Sequence, residues 1–223
     1  MKAALVDLDG TLVDTLPDFL AALNATLAEL GWGAVDHGFV ARTVGKGSEH
    51  LLRSTLAHVG APETEYQRAW AAYQRHYRAA NGRAATVYPG AAEGLQRLAD
   101  AGWLLACVTN KPTDFARTLL DATGLARFFA FTFGGDAFAR RKPDPLPLLE
   151  TCAALGSEPR RTLMIGDSKN DAQAARAAGC PVVLVTYGYN HGEPVQRVDA
   201  DAFVDRLDAI DIDALAQTTG CCD

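Results

Sequence analysis

Two aspartates one residue apart, Asp7 and Asp9, close the apolar run Ala3-Ala4-Leu5-Val6 and lead into Gly10-Thr11. An apolar run closed by a turn signal predicts a buried strand. Side chains alternate across a strand, so both carboxylates point to one side and Leu8 to the other. Carboxylates this close repel each other and call for a cation, a shared proton, or both. Taken alone, Asp-x-Asp-Gly also suits a plain polar turn, because Asp and Gly are ordinary turn formers. Three later strand ends carry further polar groups: Thr109 with Asn110, then Lys142, then Asp167 with Asp171. In an open α/β sheet the carboxyl ends of the strands form the rim where ligands bind. All four ends open onto that rim, and together they predict one site.

The elements that must position these residues are legible as alternating patterns. Apolar runs predict strands over 103–108, 131–133, 162–165, 182–186 and 202–204. Helical patterns lie between them at about 91–101, 113–123, 146–155 and 169–178, several closed by Gly102, Gly124 and Gly179. Such alternation implies βαβ units and a parallel sheet with right-handed crossovers. Between about 16 and 84 the patterns are helical, with no strand. Leu20, Leu23, Leu27 and Leu30 mark one face of a first helix, with Pro17 in its first turn and Gly31 at its stop. Ser48 is read as the cap of a second helix carrying Leu51, Leu52, Leu56 and Val59. Tyr66, Trp70, Tyr73 and Tyr77 form the stripe of a third, read as helix packing rather than as a ligand wall. The predicted fold is α/β: a Rossmann-like parallel-sheet core, 1–15 and 85–223, with an inserted helical-bundle cap, 16–84.

Composition narrows the function classes. The chain has 223 residues, 48% of them apolar, and a formal net charge of -6. That size suits one α/β domain carrying a smaller insert. The acidic balance offers no electrostatic footprint for nucleic acid. The longest apolar runs are strand-sized, against about 20 residues for a membrane span. The first strand starts right after Met1-Lys2, so no signal peptide is expected and a cytoplasmic location is. Cys107, Cys152 and Cys180 sit in apolar contexts and are expected to be buried free thiols. Cys221 and Cys222 form a pair in a polar tail, either inert or open to oxidation. The five histidines lack metal-ligand spacing, which argues against a zinc site. A monomer or a homodimer is compatible with all of this.

Asp7-Leu8-Asp9-Gly10-Thr11, Thr109, Lys142 and Gly166-Asp167-Ser168-Lys169-Asn170-Asp171 resemble, in that order, the signature of the haloacid dehalogenase superfamily of phosphotransferases. The resemblance covers the whole chain and implies that the 16–84 insert is a helical cap. It also implies phosphoryl transfer. A phosphate monoester is doubly anionic and hydrolyses very slowly unaided, so catalysis must come from charge neutralisation and positioning. Carboxylates alone would repel such a substrate. Mg²⁺ resolves the conflict, being a hard cation that needs only a few carboxylates besides water and phosphate oxygens. Asp7 and Asp167 are its natural carboxylate ligands, and in the family the Asp9 position adds its backbone carbonyl.

The resemblance further implies Asp7 as nucleophile and Asp9 as the group that protonates the leaving oxygen and later takes a proton from water. That role requires Asp9 to hold a proton near neutral pH. Thr109 and Asn110 are expected to meet the phosphate, with Thr109 alternatively a helix cap. Lys142 is expected to supply a point charge to phosphate and Asp7, or else to be a solvated neighbour of Arg140 and Arg141. Asp171 is expected to order Lys142 or metal-bound water; its alternative is a first-turn acid favoured by the helix dipole. Gly45-Lys46-Gly47 lies in the cap and matches no phosphate-binding motif. Lys46 is a candidate partner for a substrate carboxylate, with Arg42 beside it, or a solvated loop lysine. Within the superfamily, the stretches around Val108–Pro112, 134–136, 141–145 and Thr186-Tyr187-Gly188-Tyr189-Asn190 resemble the bacterial phosphoglycolate phosphatases. The implied substrate is 2-phosphoglycolate, a small anionic phosphoester. Three alternatives stand beside it. They are a phosphatase for another ester such as N-acetylmuramic acid 6-phosphate, a β-phosphoglucomutase-like mutase, and a non-catalytic binding protein on this scaffold.

Overall fold

Ala3–Val6 (β1) is entirely buried, because it lies at the centre of the sheet with helices over both faces. The computed structural model describes residues 2–212, so Cys221 and Cys222 lie outside the described residues. Two short strands, Val13–Asp14 (β2) and Thr86–Val87 (β3), pair antiparallel where the chain leaves the core and returns to it. The remaining strands are Leu104–Val108 (β4), Phe131–Phe133 (β5), Thr162–Gly166 (β6), Val182–Val185 (β7) and Ala202–Val204 (β8). All but β2 and β3 form one parallel sheet in the order β5-β4-β1-β6-β7-β8.

Strand alternation divides the core into two layers. Ala4, Val6, Leu105, Cys107, Leu163 and Ile165 face Leu95, Leu98, Leu119 and Leu120. These leucines come from Ala91–Asp100 (α5) and Thr113–Ala122 (α6). Ala3, Leu5, Ala106, Val108, Met164 and Leu184 face the opposite layer, Leu146–Leu155 (α7) and Lys169–Ala178 (α8). The alanines of α8 (Ala172, Ala174, Ala175 and Ala178) keep this helix close to the sheet. Cys107, Cys152 and Cys180 are buried free thiols. No helix among the described residues is long and apolar enough to cross a membrane.

Residues 16–80 form four helices: Leu16–Leu30 (α1), His37–Thr43 (α2), Ser48–His58 (α3) and Tyr66–Ala80 (α4). Leu16, Phe19, Leu23 and Leu27 make the buried stripe of α1, while Leu20 and Leu30 lie at its margin. The α4 aromatics pack ring against ring: Tyr73 on Tyr77 at 5.5 Å and Tyr77 on Phe19 at 5.0 Å. Phe115 of α6 and Tyr189 join this cluster, which seats the cap on the core. Two local features depart from the sequence reading. Helix α2 was not anticipated, since its seven residues bury only Val40 and carry no periodic signal. Gly47, not Ser48, holds the cap position of α3, with φ +90, a conformation that suits glycine. Ser48 begins the helix and is buried.

Candidate active site

The sheet register builds the site. Val6 stands opposite both Cys107 and Ile165, so β1, β4 and β6 end within one residue of each other. The residues just beyond those ends are Asp7, Thr109 and Asp167. Carboxylate oxygens of Asp7, Asp167 and Asp171 all lie within 4.8 Å of one another. Lys142 reaches the same point from the loop after β5. Its Nζ donates to Val108 O at 2.7 Å and Asp171 Oδ1 at 2.7 Å, and lies 3.0 Å from Asp7 Oδ1. Burial pulls the Lys142 ammonium toward neutrality, but Asp171 and Asp7 outweigh it and hold the charge. Asp171 is committed on both oxygens. Oδ1 takes Lys142, and Oδ2 accepts from Ser168 Oγ at 2.9 Å and from the Ser168 and Asp167 amides. That is a capping box for α8 as well as an anchor for Lys142.

Asp167 accepts from the Thr11 hydroxyl at 3.3 Å and from Tyr189 N, both neutral donors, and makes no ion pair among the described residues. Asp7 Oδ1 is buried with no aligned hydrogen-bond donor. Burial pushes the Asp7 carboxyl up to about 6, against the pull of Lys142, with a further push from Asp171 and Asp9. Burial also raises Asp167 well above the carboxylate range, and Asp171 and Asp7 add to it. A hard cation between the two would reverse both pressures, so an oxygen-liganded metal fits this donor set. Gly10, at φ +88, permits the approach: a Cβ there would stand 2.2 Å from Asp167 Oδ2.

Thr109 is buried, and its Oγ1 accepts from Lys111 N at 3.2 Å, which leaves its own proton free to donate. Asn110 Nδ2 donates to Gly45 O at 2.9 Å and Lys142 O at 2.8 Å, tying the cap loop to the Lys142 loop. Asp7, Asp9, Thr109 and Asn110 line a chamber closed from the cap side by Phe19, Val44, Gly45 and Ser48. Its volume is about 30 Å³. Lys46 is exposed and does not line it.

The sequence profile of the haloacid dehalogenase-like hydrolases matches residues 1–179. The chain belongs to that family. Its relatives include the phosphoglycolate phosphatase of Thiobacillus denitrificans, 42% identical over 93% of this chain and 92% of the relative. The plasmid-encoded phosphoglycolate phosphatase of Cupriavidus necator is 44% identical over 93% and 90%. Among solved structures, a predicted phosphoglycolate phosphatase from Haemophilus somnus superposes with a TM-score of 0.90 at 32% identity. That match covers 93% of this chain and 95% of the other.

Two features of this haloacid dehalogenase-like hydrolase escaped the sequence reading. Lys111 is 1% exposed in its side chain, and its Nζ lies 2.9 Å from Asp9 Oδ1 and also donates to the Tyr77 hydroxyl. Nothing in Thr109-Asn110-Lys111-Pro112 separates such a lysine from a solvated one, since lysine is rarely buried. Tyr189 is the second. Its N donates to Asp167 Oδ2 at 2.5 Å, and its hydroxyl bonds Asp14 and accepts from Thr15 N at 3.0 Å. One residue thus links the acidic cluster to the point where the chain enters the cap. Gly188 beside it has no room for a side chain, as a Cβ would lie 2.2 Å from that of Asp167.

Proposed function

We propose that the protein is a Mg²⁺-dependent phosphatase that hydrolyses 2-phosphoglycolate to glycolate and phosphate through an aspartyl-phosphate on Asp7. The observation that carries this reading is the convergence of Asp7, Asp167 and Asp171 with Lys142 on one strand rim. The relatives named as phosphoglycolate phosphatases support the substrate. Asp7, Asp167 and the backbone carbonyl of Asp9 would hold Mg²⁺, which neutralises phosphate charge when bound. Asp171 stays with Lys142, because that ammonium already neutralises it at 2.7 Å.

An Asp7 oxygen attacks phosphorus, and the bond from phosphorus to the glycolate oxygen breaks. Asp9 gives that oxygen a proton. Water then attacks the aspartyl-phosphate, Asp9 takes the proton back, and Asp7 is freed with release of phosphate. Lys142 and the Thr109 hydroxyl bear on the phosphoryl oxygens. A chamber of about 30 Å³ has room for about two waters, so the ester enters with the cap drawn back and reacts once the cap returns. Buried free thiols support a reducing cytoplasm as its location.

A panel of kcat/KM values tests the substrate. With Mg²⁺ present, 2-phosphoglycolate should exceed sugar phosphates, N-acetylmuramic acid 6-phosphate and pyrophosphate. A sugar phosphate favoured by more than about tenfold, or ~1.4 kcal/mol of transition-state binding, would overturn the assignment. Metal binding should also show in stability. Asp7, raised to about 6, and Asp167, also raised by burial, favour their protonated forms in the metal-free fold. The stability they contribute is therefore present at low pH and lost as pH rises through about 6. Mg²⁺ must displace those protons. It should raise Tm more at pH 7.5 than at pH 5, and an equal rise at both would contradict this account.

A further inference from the structure

Among the described residues that line the chamber, Lys111 is the one cationic side chain. An ammonium has three protons. Lys142 spends two on Val108 O and Asp171, and its charge stands 3.0 Å from Asp7 Oδ1. Lys111 spends two, on Asp9 and the Tyr77 hydroxyl. Its remaining environment is aromatic: Nζ lies 4.6 Å from the Phe19 ring centre and 4.9 Å from that of Tyr77. Both rings belong to the cap, on α1 and α4. They hold the charge in a water-poor corner where an added anion is strongly felt.

Position matters as much as charge. Each ammonium stands at its own aspartate, Lys142 at Asp7 and Lys111 at Asp9. If phosphorus is attacked by Asp7 and the leaving oxygen is served by Asp9, the next atoms of the ester lie beside Lys111. In 2-phosphoglycolate one methylene separates the leaving oxygen from a carboxylate. We propose that Lys111 is the specificity-determining residue that binds this carboxylate, and that it releases Asp9 in doing so. The inference rests on the phosphatase reading above. It moves carboxylate recognition from Lys46, which is exposed on the cap loop, to a buried lysine of the core. It also gives the site a reason to discriminate in kcat. A substrate without the carboxylate leaves Lys111 on Asp9, the residue that must handle the proton.

The test compares 2-phosphoglycolate with 2-hydroxyethyl phosphate, a near-isostere lacking the carboxylate charge, in wild type and Lys111→Met. Wild type should prefer the carboxylate. The variant should lose about 100-fold in kcat/KM for 2-phosphoglycolate, equivalent to ~2.7 kcal/mol. The ester without the carboxylate should lose less than about tenfold or gain, since Asp9 is no longer occupied, so the preference collapses. An equal loss for both esters would overturn the proposal and leave Lys111 as support for Asp9 alone. If the methionine variant does not fold, Lys111→Gln, which can still hydrogen-bond Asp9 and Tyr77, carries the same comparison. A wild type indifferent to the carboxylate would instead refute the substrate reading itself.

Discussion

Asp7→Asn should lower kcat by roughly 10⁴-fold or more, about 5.5 kcal/mol of barrier, without unfolding the protein. The amide has the shape of the carboxylate but no nucleophilic lone pair to offer phosphorus. Stability should hold or rise in the metal-free protein. Asp7 is raised by burial and by its acidic neighbours Asp171 and Asp9, so a neutral group relieves that pressure. Lys142 would keep Val108 O and Asp171. Phosphate release and thermal melting of the same preparation separate the two effects. Activity within tenfold of wild type would reject Asp7 as nucleophile.

Lys142→Met is the change expected to cost most in stability. The side chain is 2% exposed, and its ammonium stands between Asp7 and Asp171, each within 3.0 Å. Removing it leaves two buried carboxylates without their counter-charge, a loss of roughly 3–5 kcal/mol. It also removes the positive charge facing the phosphoryl oxygens, for which roughly a 10²–10³-fold fall in kcat is expected. Adding Asp171→Asn separates these effects. The double variant should regain part of the stability, because one stranded charge is gone, and none of the activity. Denaturant unfolding and kcat on the single and double variants check both. Recovery of activity would show that Lys142 acts only by balancing Asp171.

The strand rim was legible because a parallel sheet repeats one geometry. Asp7, Thr109 and Asp167 each follow an apolar run, and level strands bring such ends together whatever lies between them in sequence. Lys142 and Asp171 were legible by their place in the motif order, and of the two partners expected for Asp171 the structure shows Lys142, at 2.7 Å. The α1 stripe was harder to place. Leucine spacing marked Leu20 and Leu30, while the packed face runs through Leu16 and Phe19 as well as Leu23 and Leu27. A helix that must cover both α4 and the core draws its buried side from its partners, and periodicity sets only the width of the stripe. The β2 and β3 pair and α2 left no pattern, being too short for any period to repeat.

The amino-acid sequence by itself determined the α/β core, the succession of the parallel strands and the helices between them, and the acidic and basic groups that end on one edge of the sheet. Periodic burial and chain direction suffice for that. Only the tertiary structure decided the fate of individual charges. Lys46 and Lys111 look alike in sequence, each a lysine in a short loop, yet one is exposed and the other is enclosed. Phe19 and Tyr77, dozens of residues away, close over Lys111 when the cap helices pack on the core. Burial of a charge depends on which distant surfaces meet around it, and no local pattern records that.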